Sequence, residues 1–136
     1  MTAQLQREHN GTGGFLLKDI YIYGSGGLAK ELLWLVEETN KISPVWNIKG
    51  CVDDLPENRH RRVFGYEVMG SHKVLFSLPG TKNVILAAGD PSIKKKMESN
   101  LGDIKVNYPV LVHPKARVAP NARMGEGTIV GIDCIV

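Results

Sequence analysis

A glycine-rich turn carries the residue types in this chain that are best suited to binding a phosphate. Residues 24–30 (GSGGLAK) approximate the G-x-G-x-x-A spacing of dinucleotide-binding proteins. Glycines permit a tight turn and close approach of a ligand to the backbone, and the free N–H groups of a following helix favour an anion. The residues predicted to bind are Gly24, Ser25, Gly26, Gly27 and Lys30. A tight turn without a ligand, and a solvated Lys30, are the alternatives.

Two further pairs of residues are expected at the same edge of the fold. Asp53 and Asp54 follow one apolar stretch, and Gly89 and Asp90 follow another. Ligands of open parallel sheets bind at the carboxyl ends of the strands, so these residues are predicted to join the glycine turn. An acid there would bind a ribose hydroxyl or a nucleobase edge. Asp53 comes 29 residues after Gly24, however, whereas the usual distance is about 20. A polar turn for Asp53 and Asp54, and a helix cap for Asp90, are the alternatives.

Apolar stretches alternate with helical patterns along the chain, which predicts an α/β fold with a Rossmann-like parallel sheet. The predicted strands cover residues 19–24, 46–52, 83–89 and 108–112. The predicted helices cover residues 27–40 and 90–102, with a weaker helix at 71–78.

The second helix is predicted from its start signal and its spacing. Asp90, followed by proline, is the expected N-cap. Ile93, Met97 and Leu101 lie four residues apart and form the face predicted to be buried. The three lysines at 94–96 are interpreted as one solvated helix face.

The C-terminal part of the sequence has a period of six, which neither an α-helix nor a flat strand produces. The apolar members of this hexad ladder are Val112, Val118, Met124, Val130 and Val136. Small residues follow four positions after the first four of them, at Ala116, Ala122, Thr128 and Cys134. The pattern predicts a left-handed parallel β-helix, with three hexads or about 18 residues in each coil. We therefore predict a polar lead-in at 1–17, a Rossmann-like domain at 18–110 and the first, incomplete coils at 111–136.

Composition excludes several classes of function. The net charge is only +3, and aromatic and basic residues are not interleaved, which argues against nucleic acid as a partner. No apolar run approaches the length of a membrane span, and the N-terminus lacks the apolar core of a secretory signal. Cys51 and Cys134 are predicted to be reduced and buried. A cytoplasmic protein without a metal site is expected.

Four stretches, in order, resemble bacterial sugar acyltransferases of the sialic acid O-acetyltransferase type. These stretches are Ile22 to Lys30, Gly50 to Asp54, Val84 to Asp90 and Tyr108 to Pro114. The group includes N-acetyltransferases that act on nucleotide-linked 4-amino sugars. The resemblance covers about residues 18–136.

The resemblance implies a nucleotide-sugar, UDP-linked, bound by the nine residues named above in the glycine turn and the two pairs. It also implies a trimer assembled through the β-helix, with acetyl-CoA as co-substrate between subunits and a histidine of a later coil as general base. The sequence ends before that histidine, and His113 is interpreted as structural. No catalytic residue and no acetyl-CoA site are therefore expected in this chain, and whether it is an enzyme by itself stays open.

Two other functions remain open at this point. The glycine turn alone permits an NAD(P)-dependent oxidoreductase, although the distant acid, the ladder and the lack of a catalytic tyrosine–lysine pair oppose it. A non-catalytic binding or assembly module is the other possibility, because an incomplete coil presents an open strand edge.

Overall fold

A computed structural model of the protein describes residues 16–102 and 104–131. In chain order the strands and helices are β1 (Lys18–Tyr23), α1 (Gly27–Ile42), β2 (Trp46–Val52), β3 (Arg62–Val63), β4 (Tyr66–Glu67), β5 (Lys82–Leu86), α2 (Pro91–Asn100), β6 (Val106–Asn107), β7 (Leu111–Val112) and β8 (Ile129–Val130). Short 3-10 helices occupy Pro56–Asn58 and His72–Ser77. The second of these stands where the weaker α-helix was predicted.

Four strands form a parallel sheet in the order β2-β1-β5-β6. Alternate residues of β1 point to opposite faces: Ile20 and Ile22 pack in one core, and Tyr21 and Tyr23 in another. Helix α1 covers the first face with a stripe of apolar residues, which consists of Ala29, Leu32, Leu33, Leu35 and Val36. Both faces of the central strands are covered, which explains their continuous apolar sequence. The predicted α/β class is confirmed.

Helix α2 differs from its prediction. It ends at Asn100 rather than Gly102, and none of its own residues is buried. Of the predicted buried face, Leu101 is buried just beyond the helix, Met97 is half-buried and Ile93 is 48% exposed. The preceding strand, β5, ends at Leu86, three residues earlier than predicted.

The predicted strand at 108–112 is confirmed only at its end, because residues 108–110 form no strand and Leu111–Val112 form β7, while β6 ends before this range at Asn107. β6 pairs with β5 at the edge of the sheet, whereas β7 pairs with β8 outside it. Pro109 lies between β6 and β7 and has no N–H to donate to a neighbouring strand, so continuous pairing is interrupted there.

The pairing of β7 with β8 closes one coil. The two strands are parallel, and Leu111 lies opposite Ile129 and Val112 opposite Val130, so that each pair is 18 residues apart in sequence. This spacing agrees with three hexads per coil. Val118 and Met124 are half-buried within the coil, and the residues directly beside them are exposed. Cys134 and Val136 of the ladder, and residues 1–15 of the predicted lead-in, lie outside the described residues.

The outer face of the coil packs on α1. Leu111 belongs to the same core as the buried stripe of α1. His113 is 2% exposed and stacks on Trp34, with ring centroids 5.4 Å apart. The backbone N–H of Lys115 donates to His113 Nδ1 at 3.0 Å. His113 thus contributes to the packing of the coil on the sheet domain.

Candidate functional site

A cavity of about 270 Å³ opens at the carboxyl edge of the sheet, between the ends of β1 and β2 and one face of α2. Its walls combine acidic, amide, apolar and basic side chains. The lining residues are Tyr23, Gly24, Asp53, Asp54, Leu55, Ile93, Lys96, Met97 and Asn100. Three of the predicted site residues, Gly24, Asp53 and Asp54, are therefore brought together in one place.

Gly24 is required by the geometry of the turn after β1. Its φ is +123°, a conformation that residues with a side chain rarely adopt. A Cβ at this position would lie 2.9 Å from the carbonyl oxygen of Ala87. The turn therefore brings β1 and the end of β5 into close contact, and only glycine fits.

The first helix begins with exposed backbone. Gly26 is the N-cap of α1 and has no side chain that could accept a hydrogen bond from the first turn. A Cβ at Gly26 or at Gly27 would meet no atom within 4 Å, so open space surrounds both residues. No side chain caps the first N–H groups of α1, and binding of an anion there stays a prediction. Lys30 is exposed and does not line the cavity.

Asp53 holds the glycine turn against the end of β2. The buried hydroxyl of Ser25 and the side-chain amide of Asn58 both donate to Asp53 Oδ2, the latter at 3.2 Å. The backbone N–H of Leu55 donates to Oδ1 at 2.9 Å. The Ser25 hydroxyl is thus engaged with Asp53, and its contribution to a ligand site is to position this carboxylate.

Asp54 is held by a second set of donors. The Tyr23 hydroxyl donates to Oδ2, and the backbone N–H of His72 donates to Oδ1 at 2.9 Å. The His72 Nδ1 lies 2.7 Å from the same oxygen, and the Asn100 amide donates to the Tyr23 hydroxyl at 3.0 Å. The His72 ring also stacks on Tyr23, with centroids 5.9 Å apart.

These contacts change the acidity of the groups involved. Burial alone would raise the pKa of Asp54, but the hydrogen bonds from His72 and Tyr23 outweigh it, so that the pKa is lowered from 3.8. Burial and the hydrogen bond to Asp54 raise the pKa of Tyr23 well above its ordinary value. At neutral pH the site therefore holds a carboxylate at Asp54 and a neutral phenol at Tyr23.

Gly89 and Asp90 lie at the start of α2 and do not line the cavity. Asp90 Oδ1 accepts hydrogen bonds from the backbone N–H and the hydroxyl of Ser92, both at 2.8 Å. These bonds lower the pKa of Asp90. Asp90 is the N-cap of α2, and a contact of Gly89 or Asp90 with a ligand stays a prediction.

Sequence reasoning missed Tyr23, His72 and Asn100 as members of this site. Tyr23 was counted only as a strand residue, although a tyrosine at the last position of a strand can place its hydroxyl at the strand end. His72 and Asn100 reach the site from other elements, 18 and 46 positions after Asp54. No spacing within one segment of the sequence predicts the contacts of His72 and Asn100 with this site, because the fold brings these distant residues together.

The described residues also bear on a metal site, a membrane span and the cysteines. Within residues 16–102 and 104–131, no group of three His, Cys, Asp or Glu side chains could hold a metal ion. In the same part of the chain no helix is long and apolar enough to cross a membrane. Cys51 is a free, buried thiol, and burial raises its pKa to about 12.

Comparison with known proteins gives matches for most of the chain. Residues 19–101 match the family model described as the PglD N-terminal domain. The structure is similar to the acetyltransferase domain of PglB from Neisseria gonorrhoeae FA1090 in complex with acetyl coenzyme A, with 24% identity and a TM-score of 0.67 over 88% of this chain and 56% of that chain. It is also similar to PerB from Caulobacter crescentus in complex with CoA and GDP-perosamine, with 24% identity and a TM-score of 0.66 over 89% of this chain and 55% of that chain.

These structural likenesses establish a shared fold, and the chain spans about half the length of the two solved proteins. A search of curated proteins found no match.

Proposed function

The chain belongs to the PglD N-terminal domain family, and on this premise we propose that it binds the nucleotide-linked sugar of an acetyl-CoA-dependent acyltransferase. One observation carries the proposal: a parallel sheet with a glycine turn is followed directly by a coil that closes after 18 residues. The sheet edge supports nucleotide binding, and the coil supports the hexapeptide-repeat class of transferase.

The geometry supports different roles for the predicted site residues. Gly26 and Gly27 would present backbone N–H groups to the phosphates, whereas the Gly24 N–H donates to the Val52 carbonyl oxygen at 2.8 Å and Gly24 would shape the turn. Each carboxylate oxygen can accept two hydrogen bonds, so the bonds from the described residues leave one acceptor position on Asp53 Oδ1 and one on Asp54 Oδ2. These two positions suit ribose hydroxyls or the N–H of a base. Lys30, Gly89 and Asp90 do not line the cavity and are given no ligand contact in this proposal, so that their place in the site stays a prediction from the sequence.

The finer parts of the proposal rest on the resemblance to enzymes of 4-amino sugars. The nucleotide would be a UDP-linked sugar, acetyl-CoA the co-substrate, and the assembled enzyme a homotrimer in the cytoplasm. The domain boundary is proposed between residues 110 and 111, which is supported by the end of β6 at Asn107 and the start of β7 at Leu111. No catalytic residue is assigned within the described part of the chain.

Isothermal titration calorimetry with UDP, GDP and NADH tests the proposed function. We expect UDP to bind, GDP to bind more weakly than UDP, and NADH not to bind. Stronger binding of GDP than of UDP would reject the UDP assignment and keep the nucleotide-sugar function. Tight binding of NADH would favour an oxidoreductase, and the absence of binding by all three at millimolar concentration would contradict the proposed function.

A further inference from the structure

One face of α2 lines the cavity at the carboxyl edge. Ile93, Lys96, Met97 and Asn100 all line it, and their spacing of i, i+3, i+4 and i+7 puts them on one side of a helix. This face includes Ile93 and Met97, two of the three residues predicted to be buried, together with Lys96, which was interpreted as solvated. Its exposure is explained if it contacts a ligand rather than protein, since Ile93 is 48% exposed at the cavity and Leu55, on the opposite loop, is 55% exposed.

The three consecutive lysines of α2, which the sequence analysis interpreted as one solvated face, lie on different sides of the helix. Lys96 lines the carboxyl-edge cavity, whereas Lys94 lines a second cavity between β5, α2 and the coil. Lys95 lines neither of these two cavities and is exposed. Among the described residues that line the carboxyl-edge cavity, Lys96 alone carries a positive charge.

The first helix offers no equivalent cation to this cavity. Lys30 was the predicted partner of a phosphate, but it is exposed and does not line the cavity. The Ser25 hydroxyl, a second possible phosphate ligand, is engaged with Asp53. The Gly24 N–H is also engaged, because it donates to the Val52 carbonyl oxygen at 2.8 Å. A phosphate beside the glycine turn therefore has the uncapped N–H groups at the start of α1 and the ammonium group of Lys96 as its available partners.

The two acidic residues restrict where a diphosphate can lie. Asp53 and Asp54 would repel it, so the phosphates must lie towards Gly24 and α2 while the ribose and base lie towards the carboxylates. Lys96 is on the side of the cavity formed by α2. An ammonium group there would stabilise the diphosphate by charge-assisted hydrogen bonds.

We propose that Lys96, on α2, binds the diphosphate of the nucleotide-sugar, and that Lys30 does not. This inference rests on the proposed nucleotide-binding function and assigns the phosphate position within it. Leu55, which follows the acidic pair, would contact the base on the side of the carboxylates.

The test is calorimetric titration of the 136-residue chain and of the variants Lys96→Ala, Lys95→Ala and Lys30→Ala with UDP and with GDP. Loss of one charge-assisted hydrogen bond to phosphate is expected to raise the Kd of Lys96→Ala by about tenfold or more. Lys95→Ala and Lys30→Ala, which also remove one exposed positive charge each, are expected to change the Kd less than twofold. Lys96→Arg should restore most of the affinity, and added salt should weaken binding by the wild type more than by Lys96→Ala.

The outcomes separate this proposal from the proposed function. Wild-type binding that is unaffected by Lys96→Ala would overturn the assignment of Lys96 and leave nucleotide binding intact. A tenfold loss in Lys30→Ala with none in Lys96→Ala would assign the cationic contact of the phosphates to Lys30, and an equal loss in Lys95→Ala would show a diffuse effect of charge. If the wild type binds neither nucleotide, the proposed function fails and the role of Lys96 fails with it.

Discussion

The two helices that flank the sheet begin at the same edge in opposite ways. Helix α2 starts with Asp90, whose carboxylate accepts from the backbone N–H of Ser92, and continues with Pro91. Helix α1 starts with Gly26, which supplies no side chain to its first turn. A side-chain cap adds about 1 kcal/mol to helix stability relative to alanine, whereas glycine at that position is intermediate.

The difference shows how one sheet edge can combine stability with binding. In α2 the side chain of Asp90 occupies a first-turn N–H, and the helix contributes side chains to the cavity from its third residue onwards. In α1 the first-turn N–H groups stay free for an anion, and the turn before it is held by Gly24, Ser25 and Asp53 instead. Adding a cap to α1 should therefore raise stability and lower nucleotide affinity, whereas removing the cap of α2 should lower stability and leave the affinity nearly unchanged.

The largest effect is expected for Gly24→Ala. The new Cβ would lie 2.9 Å from the Ala87 carbonyl oxygen, at a φ of +123°. Strain and displacement of the end of β5 should lower the free energy of unfolding by about 2–4 kcal/mol. Urea denaturation measures this, with Gly26→Ala as the control because no atom lies within 4 Å of its new Cβ. Equal destabilisation by both variants would show that the turn is not the constrained point.

A smaller effect is expected for Asp54→Asn. At neutral pH the substitution weakens the hydrogen bonds from His72 and Tyr23, at a cost of about 1–2 kcal/mol, reduced by the partial exposure of Asp54. Because folding lowers the pKa of Asp54 from 3.8, its stabilising effect is present above that pH and is lost as the pH falls through the lower folded value.

Urea midpoints of wild type and Asp54→Asn, measured from pH 7 to pH 3, test this dependence. The difference between the two proteins should shrink below pH 3.8. A constant difference across the range would mean that the Asp54 contacts do not depend on its charge.

Removal of the N-cap of α2 should lower the stability of the protein by about as much as the loss of a typical helix cap. Asp90→Ala is expected to lower the free energy of unfolding, because the Ser92 N–H loses its acceptor. Asp90→Asn, which can still accept this hydrogen bond, is the control and should retain most of the stability. Nucleotide affinity should change little in Asp90→Asn, since Asp90 does not line the cavity. A large loss of affinity would instead give Asp90 a direct part in binding.

Addition of a cap to α1 should give the smallest change in stability and a clear change in binding. Gly26→Asp supplies the missing acceptor and should stabilise the fold by a few tenths of a kcal/mol. The same carboxylate would compete for the N–H groups and repel a phosphate, so nucleotide affinity should fall. Gly26→Asn adds a cap without charge, and its smaller loss of affinity would separate competition from repulsion. Unchanged affinity in both variants would exclude the start of α1 as a phosphate site.

The parts of the fold predicted best were those with a strong local period. The helix at 27–40 and the six-residue ladder each follow from a pattern within one segment, and the structure has α1 and a coil that closes after 18 residues there. The break at Pro109 was missed because the apolar residues beside it suggested one strand, and the missing proline N–H was not weighed against them. The exposure of Ile93 could not be predicted, since periodicity identifies an apolar face but not what covers it.

The candidate site was also predicted only where the signal lay within one segment of the sequence. Gly24, Asp53 and Asp54 were predicted because each follows a strand, and strand ends meet at one edge. The partners that orient the two carboxylates are spread over the chain, as with His72 and Asn100. Their contacts depend on how the 3-10 helix and α2 pack against the sheet, which no single segment encodes.

The central claim is that the carboxyl-edge cavity binds a nucleotide. Chemical-shift mapping of the ¹⁵N-labelled chain during titration with UDP tests it most directly. The account predicts that the perturbed amides cluster in residues 24–28, 53–55 and 93–100, around the glycine turn, the acidic pair and the exposed face of α2. Perturbations confined to the second cavity, around Tyr108 and Gly127, or no saturable perturbation at all, would contradict it.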